Sequence, residues 1–262
     1  MPDEPKKLQL AAEELERLMK NRFERPMPRR FYEQVRVAGD APPFTIELDG
    51  KPLKTPLKAP FEVPTRPLAE AVADEWRAQE KTINPFAMPL TRLCNAAIDR
   101  VRGRRSEVIA AITAHGAHEL LCYRAETPLA FAHLQAETWD PLLQWAERQM
   151  GAGFTVTRGV MPVAQDERTL RAIAGRYGVF GDYQLAALNN MATLTSSAIL
   201  PLAVAERHLS PEQAWRAANL EEQWNISQWG EDAEAAARLK RRGDEFLSAA
   251  RLMELLDTGL NQ

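Results

Sequence analysis

Residues 44–54 read FTIELDGKPLK, and this stretch decides the first part of the fold. Its first five residues alternate apolar and polar side chains, which is the period of a strand with one buried face. The pair Asp49-Gly50 accepts the positive φ of a tight hairpin turn. We therefore expect the chain to reverse at this pair and to enter a return strand over Lys51 to Lys54.

A second alternating run lies just upstream. It places Phe31, Glu33, Val35 and Val37 on one face and Tyr32, Gln34 and Arg36 on the other. Prolines at positions 52, 56, 60 and 64 cannot donate an amide hydrogen to a sheet ladder. The sequence therefore predicts a small antiparallel sheet made of short or edge strands.

Helical periodicity flanks these strands. Apolar residues recur at helical spacing over 8–24, which predicts an amphipathic helix. Another helix is expected from an N-cap at Thr65 to near Thr82. Asn84-Pro85 and Met88-Pro89 favour extended backbone because a residue before proline avoids the helical region. We interpret this extended connector as the boundary between two domains.

The pattern after the connector is helical throughout. Apolar stripes run over 90–101 and 108–120. Further helices are expected over 135–149, 167–177, 183–206, 211–228 and 232–256. The sequence therefore predicts an α+β fold. Residues 1–86 form a small N-terminal domain with short antiparallel strands and a helix, and residues 87–262 form a larger, all-helical C-terminal domain of the orthogonal-bundle type.

Composition excludes some classes of protein. The 262 residues include 33 Lys or Arg and 36 Asp or Glu, a net charge of -3, so a general nucleic-acid binder is not expected. Cys94 and Cys122 are typical of buried thiols in a reducing compartment. Residues 1–30 match neither a secretory signal nor a mitochondrial presequence. We expect a cytoplasmic bacterial protein, or a mitochondrial matrix protein only if a presequence has been removed.

One long segment carries no charged residue. It runs from Tyr183 to Ala205, 23 residues, which is long enough to span a bilayer. Polar residues such as Asn189, Asn190 and Ser197 would lie in hydrocarbon if it did. We therefore expect a helix buried within the protein and no membrane insertion.

Nucleotide sites and covalent catalysis are not expected. Gly151-x-Gly153 lacks the third glycine of a phosphate-binding loop. Ser196 and Ser197 have no flanking glycine of the kind that forms a nucleophile elbow, so we interpret them as structural polar residues. The sequence predicts no catalytic residue, no cofactor and no small-molecule substrate.

Two histidines are the strongest candidates for metal ligands in the sequence. His115 and His118 lie three residues apart on a predicted helix, beside Glu119. The spacing is not that of the His-Glu-x-x-His motif, so we favour ordinary polar contacts and expect no metal. The alternative function is an enzyme whose histidine and carboxylate site is not visible from sequence spacing.

A short basic cluster lies between two of the predicted helices. It consists of Arg100, Arg102, Arg104 and Arg105. Such a cluster can meet phosphate or an acidic partner. Asp99 and Glu107 flank it and no aromatic residue is interleaved to stack on bases. We favour a solvated helix terminus with local ion pairs over a nucleic-acid site.

Glu221 and Glu222 are adjacent on a predicted helix. Adjacent helical side chains point about 100° apart, so the two carboxylates cannot converge on one atom as an acid–base pair. A carboxylate at the border of a core needs a partner, and a surface presented to another protein is one place to find it. Trp215, Trp224 and Trp229 lie on the same segment. Their indoles serve either core packing, which we favour, or interface contacts.

Several blocks, spread over roughly residues 29–235, resemble one family. They are Arg30-Phe31-Tyr32, LDGKPLKTP over 48–56, DEWRAQ over 74–79, Ile83-Asn84-Pro85, AIDR over 97–100, Cys122-Tyr123-Arg124, WDPLL over 139–143 and LEEQW over 220–224. In this order they resemble the assembly chaperone family for the α subunit of the soluble head of the F-type ATP synthase.

This resemblance implies a non-enzymatic role. The family's chaperone binds the unassembled α subunit and shields its β-facing interface until β replaces it. The resemblance also implies an important acidic position, here Glu221 or Glu222, of which we prefer Glu222. Trp224 and Trp229 are the neighbouring candidates for partner binding. Asn225 stands where many relatives carry glutamine, and the segment after Gly230 lacks the Trp-Ala-His-Asp stretch of mitochondrial members, which favours a bacterial-type member.

Overall fold

The computed structural model describes residues 27–159, 161 and 163–257. Its strands are β1 (Val35–Ala38), β2 (Phe44–Leu48), β3 (Lys51–Pro52), β4 (Glu62–Val63), β5 (Tyr123–Arg124) and β6 (Thr157–Arg158). Its helices are α1 (Arg66–Arg77), α2 (Pro89–Ala96), α3 (Arg105–Ala117), α4 (Leu129–Met150), α5 (Glu167–Tyr177), α6 (Asp182–Thr195), α7 (Ile199–Ala205), α8 (Pro211–Ala218), α9 (Leu220–Trp229) and α10 (Ala233–Asp257). The predicted α+β class is confirmed. The helix predicted over 8–24 lies outside the described residues.

β2 is the centre of the N-terminal sheet. It pairs antiparallel with β1 along its length, with β3 at its C-terminal end and with β4 at its N-terminal end. Its apolar residues Phe44, Ile46 and Leu48 are buried and alternate with the half-buried Thr45 and Glu47, as predicted. Asp49 and Gly50 take φ values of 49° and 75°, so the predicted hairpin turn is confirmed.

The strand predicted from Phe31 begins only at Val35, and the predicted faces are wrong before that point. Tyr32 is 4% exposed and Phe31 is 71% exposed. The Tyr32 hydroxyl donates to the Trp76 carbonyl at 2.8 Å, which draws the ring inward. The Asp49 carboxylate accepts the backbone amides of residues 33 and 34, so these amides are not available to a sheet ladder.

α1 packs on the sheet through four buried residues and is capped by Thr65, as predicted. It ends at Arg77 rather than near Thr82. The side chain of Gln79 explains the early end, because it donates to the Glu75 carbonyl and accepts the Asn84 amide at 2.7 Å. These bonds turn the chain out of the helix and into the connector. The domain boundary near residue 86 stays a prediction.

The C-terminal part is helical, with α6 packed against α3 and α10. The helix predicted over 167–177 is confirmed by α5. The single helices predicted over 183–206 and 211–228 are wrong, since each is broken into two. The first breaks at Ser196, whose φ is 52°, and the second at Asn219. Within the described part of the chain, no helix is long and apolar enough to cross a membrane.

Both cysteines are buried and free, as expected. Burial raises the pKa of the Cys122 thiol to about 12, and burial likewise raises the pKa of Cys94. The thiolate is the reactive form of cysteine, so neither side chain is activated for nucleophilic chemistry at neutral pH.

Candidate functional site

The acidic block predicted to contact a partner begins α9, immediately after the short helix α8. α8 starts with the predicted capping box, in which Ser210 and Gln213 exchange hydrogen bonds. Its last carbonyls are met by side chains from outside the helix. Asn219 donates to the Trp215 carbonyl at 2.8 Å and Gln223 donates to the Arg216 carbonyl at 3.1 Å. These bonds fix the corner between α8 and α9.

The candidate residues on α9 differ in burial. Glu221 is exposed and Glu222 is half-buried, while Leu220 before them is buried. Trp224 is half-buried and its ring packs on Phe131 of α4, with the ring centroids 5.4 Å apart. Trp229, at the end of the helix, is 78% exposed. Trp224 therefore contributes to packing and Trp229 does not.

The two carboxylates are not used in the fold. Among the hydrogen bonds and ion pairs of residues 27–159, 161 and 163–257, none involves the carboxylate of Glu221 or Glu222. Both lie in the first turn of α9, where the helix dipole favours negative charge. The first turn of α9 thus presents two adjacent carboxylates that are free to meet a partner.

A residue of α4 also stabilises the corner between α8 and α9. The indole nitrogen of Trp139 donates to the Ala217 carbonyl, in the last turn of α8, at 2.9 Å. The guanidinium of Arg124, itself buried, lies 5.2 Å from the Trp139 ring centroid and bonds Asp140 at 2.7 Å. It also donates to the Gln135 carbonyl. Residues from two of the family-like blocks are therefore joined directly.

Other family-like blocks pair in the same way across the chain. The Thr55 hydroxyl donates to Asp99 at 2.6 Å, which joins the loop after β3 to the helical turn at Ala97–Val101. The Glu75 carboxylate accepts the amides of Leu90 and Thr91 at 2.7 and 2.8 Å. It therefore caps α2, whose N-cap residue supplies no side-chain bond. These blocks therefore hold the fold together.

The histidines do not assemble a site with Glu119. His118 is exposed, and its Nδ1 lies 3.4 Å from the Tyr123 hydroxyl. His115 is half-buried, and burial lowers its pKa. No group of three His, Cys, Asp or Glu residues in the described part of the chain could hold a metal ion.

Sequence reasoning noticed Glu119 only as a neighbour of these histidines. Its side chain is fully buried at the break between α6 and α7. One oxygen accepts the Ala198 and Ile199 amides at 2.8 and 3.3 Å, and the other accepts the Leu121 amide at 3.3 Å. Ser197, interpreted as structural, caps α7 through the Ile199 and Leu200 amides. The pattern of a lone Glu after a His gives no signal for this role.

Glu119 makes the stability of the protein depend on pH. Burial raises its pKa to about 7, against the lowering effect of its hydrogen bonds. A raised folded pKa contributes stability that is fully present below the unfolded value and is lost as the pH rises through the folded value. Relative to a Glu119→Gln variant, we expect the wild type to lose roughly 3 kcal/mol of unfolding free energy between about pH 4.5 and pH 8.

Urea unfolding of both proteins at several pH values measures this difference. The Gln side chain does not titrate, so subtraction removes the contribution of all other groups. A difference that stays constant from about pH 4.5 to pH 8 would contradict the raised pKa of Glu119.

Half of the basic cluster is engaged in local ion pairs, as expected. Arg105 bonds Asp182 at 2.8 Å and the Phe180 carbonyl at 2.7 Å. Arg102 lies 3.9 Å from the same Asp182 carboxylate. Arg100 and Arg104 instead line a cleft beside α2. The cluster is therefore divided between a structural pair and a surface pair.

Comparison with known proteins agrees with the interlocked blocks. The family model described as "ATP12 chaperone protein" matches residues 29–147. The crystal structure of Atp12 from Paracoccus denitrificans is 36% identical, with a TM-score of 0.80, and the match covers 87% of this chain and 98% of that one. The chain belongs to the ATP12 chaperone family.

Two further relatives extend the ATP12 comparison. The Atu1473 protein of Agrobacterium tumefaciens is 42% identical with a TM-score of 0.83, over 89% of this chain and 88% of that one. The mitochondrial protein atp12 of Schizosaccharomyces pombe is 28% identical over 224 residues, which are 79% of this chain and 76% of the relative. As a family member, the protein is a chaperone for ATP synthase assembly.

Proposed function

We propose that this ATP12 family member binds the unassembled α subunit of the F-type ATP synthase and covers the surface that later meets the β subunit. The observation that carries the proposal is the exposed helix α9. It offers two carboxylates that bond no other group in the described part of the chain, and it ends on the exposed Trp229. Tryptophan is enriched at protein interfaces, and carboxylates beside it can complement a positively charged patch on the partner.

The chemistry of subunit assembly explains the need for such a surface. A subunit of an obligate oligomer exposes an apolar interface that resembles a core cut in half, so the orphan subunit aggregates unless the patch is covered. Release needs no ATP, because a β subunit that binds the same patch more favourably displaces the chaperone by mass action. We propose no catalytic step, no cofactor, no small-molecule substrate and no nucleic-acid ligand for this protein.

Within α9 we propose Glu222 as the principal contact, with Glu221, Trp224 and Trp229 around it. Glu222 is half-buried, so its side chain is more restrained than that of the exposed Glu221. A restrained carboxylate loses less conformational entropy on binding. We propose that the protein works in the bacterial cytoplasm, where the α subunit is synthesised.

Co-expression with the ATP synthase α subunit of the same cell tests the proposal. We expect the wild type to increase α subunit in the soluble fraction and to co-purify with it. Glu222→Lys is expected to reduce the co-purified α subunit by at least about tenfold, because an interfacial carboxylate is replaced by a cation. Glu221→Lys is expected to have a smaller effect.

Glu107→Lys is the matched control. Like Glu222, Glu107 lies in the first turn of a helix, α3, and it is exposed, so the substitution changes the net charge in the same way. If Glu107→Lys and Glu222→Lys reduce the co-purified α subunit equally, binding depends on the net charge of the protein and not on a site at α9. If the wild type neither binds nor solubilises the α subunit, the proposed function is wrong.

A further inference from the structure

A groove lies on the structure at residues that the proposed function does not use. Its first part is a cleft of about 770 Å³ between the loop at Pro56 and Leu57, α2, α6 and α10. A second depression of about 520 Å³ shares Pro89, Arg92 and Glu245 with the cleft. The two therefore form one continuous groove, long enough to accept several residues of extended chain rather than a single small group.

The groove is basic, although the protein as a whole is acidic. Six arginines line it, at positions 92, 100, 104, 238, 241 and 242, against three carboxylates, at 99, 244 and 245. All three carboxylates are engaged by the fold, through Thr55, Lys240 and Arg92 respectively. Arg100, Arg104 and Arg241 have no carboxylate partner among the described residues. The groove is therefore suited to an acidic ligand.

Two asparagines line the cleft with unused hydrogen-bonding capacity. The Oδ1 atoms of Asn95 and Asn190 are buried and accept no hydrogen bond within the described structure. Nε of Arg92 is buried and unpartnered as well. Native proteins leave few buried polar atoms unsatisfied, because each one costs free energy. Carboxamide oxygens accept peptide N–H groups, so the main chain of a bound segment would satisfy these oxygens once each carboxamide turns outward into the cleft.

Apolar contacts are available along the same groove. Leu57 lines the first part and Phe86 lines the second, and both are 72% exposed. The backbone beside Leu57 is a π-helical turn, Ala97–Val101, which supplies Asp99 and Arg100 to the cleft. Such turns occur frequently at functional sites. The groove therefore combines apolar, cationic and main-chain-reading groups.

We propose that this groove binds an extended, acidic segment of a partner protein. On binding, the carboxamides of Asn95 and Asn190 turn outward to accept its backbone N–H groups. Arg100 and Arg104 bind its Asp or Glu side chains, and Leu57 and Phe86 cover apolar residues between them. The carboxylates at 99, 244 and 245 oppose the dense phosphates of a nucleic acid, whereas a peptide can place its sparser charges on the free arginines. The site is distinct from α9 and does not depend on the identity of the subunit bound there.

Fluorescence anisotropy with the full chain tests the groove. The probe is a labelled, end-capped ten-residue peptide that alternates aspartate and leucine. We expect saturable binding that weakens about tenfold in an Arg100→Ala, Arg104→Ala double variant, since two charge-assisted hydrogen bonds are lost. Asn190→Leu is expected to weaken binding severalfold while it preserves or raises the melting temperature, because it removes an unsatisfied buried oxygen.

The controls separate the groove from charge alone. Arg158→Ala, Arg171→Ala removes the same charge from an exposed strand residue and an exposed helix residue outside the groove lining. Equal weakening by both double variants, or no saturable binding to the wild type, overturns the proposal. If a backbone N-methylated peptide binds as tightly as the unmodified peptide, Asn95 and Asn190 do not accept the ligand's backbone N–H groups. Tighter binding of a ten-nucleotide oligothymidylate identifies a nucleic-acid site instead. A Glu222→Lys variant is expected to bind the peptide normally, so this test is independent of the proposed function.

Discussion

Glu119→Leu is expected to lower the free energy of unfolding by about 3 kcal/mol near pH 6, because it leaves buried amide donors without acceptors. With a pKa of about 7 the Glu119 carboxyl group is mostly protonated at this pH, and its oxygens accept the buried amides of Leu121 and Ala198. Each unpaired buried donor costs about 1–3 kcal/mol. Leucine is similar in size, so the loss reflects hydrogen bonding rather than a cavity.

The damage is expected to be local as well as global. Ser196–Ala198 connects α6 to α7, and besides Glu119 the connection is held by the Tyr177 hydroxyl on the Ala198 carbonyl and the Leu120 amide on the Ser196 carbonyl. Amide exchange should therefore rise first at the start of α7 in the variant. An isosteric change at this position tests whether one carboxylate defines the break between two helices.

Thermal and urea unfolding measure the effect of Glu119→Leu. For a protein of this size, 3 kcal/mol corresponds to a fall of roughly 10 °C in Tm. Glu107→Leu is the control, since it removes an exposed glutamate from the neighbouring helix α3 and should change stability by less than about 0.5 kcal/mol. If Glu119→Leu unfolds within about 0.5 kcal/mol of the wild type, the carboxylate does not hold the α6–α7 break.

Glu119 also shows which features of the fold a sequence pattern cannot predict. The uncharged run from 183 to 205 predicts burial correctly, because periodicity and composition report how apolar a segment is. It cannot predict the break after Ser196. The Ala198 amide at this break donates to Glu119, which lies 79 residues earlier in the sequence. Local signals such as the Thr65 cap and the Asp49-Gly50 turn were predicted because donor and acceptor lie within a few residues.

The candidate site was likewise predictable from the sequence only in part. Residue types and spacing favoured core packing for the tryptophans, and Trp215 and Trp224 do pack against Phe246 and Phe131. The preference for core packing fails at Trp229, which follows Trp224 by five residues, is therefore turned about 140° away from it around the helix, and is exposed. The preference for Glu222 came from the family resemblance and stays a proposal. The groove at Asn95 and Asn190 joins residues from distant helices, so no local pattern could reveal it.

Trp139→Ala is the substitution expected to cost most, about 4 kcal/mol of unfolding free energy. The indole is 3% exposed, and truncation of a buried tryptophan removes a large apolar surface and leaves a cavity. It also removes the aromatic face beneath the Arg124 guanidinium and the donor to the Ala217 carbonyl. Urea unfolding, with an unchanged far-ultraviolet circular dichroism spectrum before the transition, measures the loss.

Trp139→Phe separates the hydrogen bond from the packing. Phenylalanine keeps an aromatic ring under Arg124 but cannot donate to the Ala217 carbonyl, so the expected loss is smaller, about 1–2 kcal/mol. Trp145→Phe is the matched control on the same helix, because the Trp145 ring stacks on His208 at 4.6 Å. Within the described structure its indole nitrogen makes no hydrogen bond of the kind that Trp139 makes.

Because Ala217 lies just before the corner that begins α9, loss of its partner should loosen the helix that carries Glu222. Hydrogen exchange over residues 219–230 is expected to increase in Trp139→Phe and to remain near the wild-type rate in Trp145→Phe. The recovery of α subunit in co-expression should fall in the same order, since a loosened α9 must be ordered again on binding. If exchange in α9 rises and recovery does not fall, α9 is anchored by Trp139 but is not the surface that binds the partner.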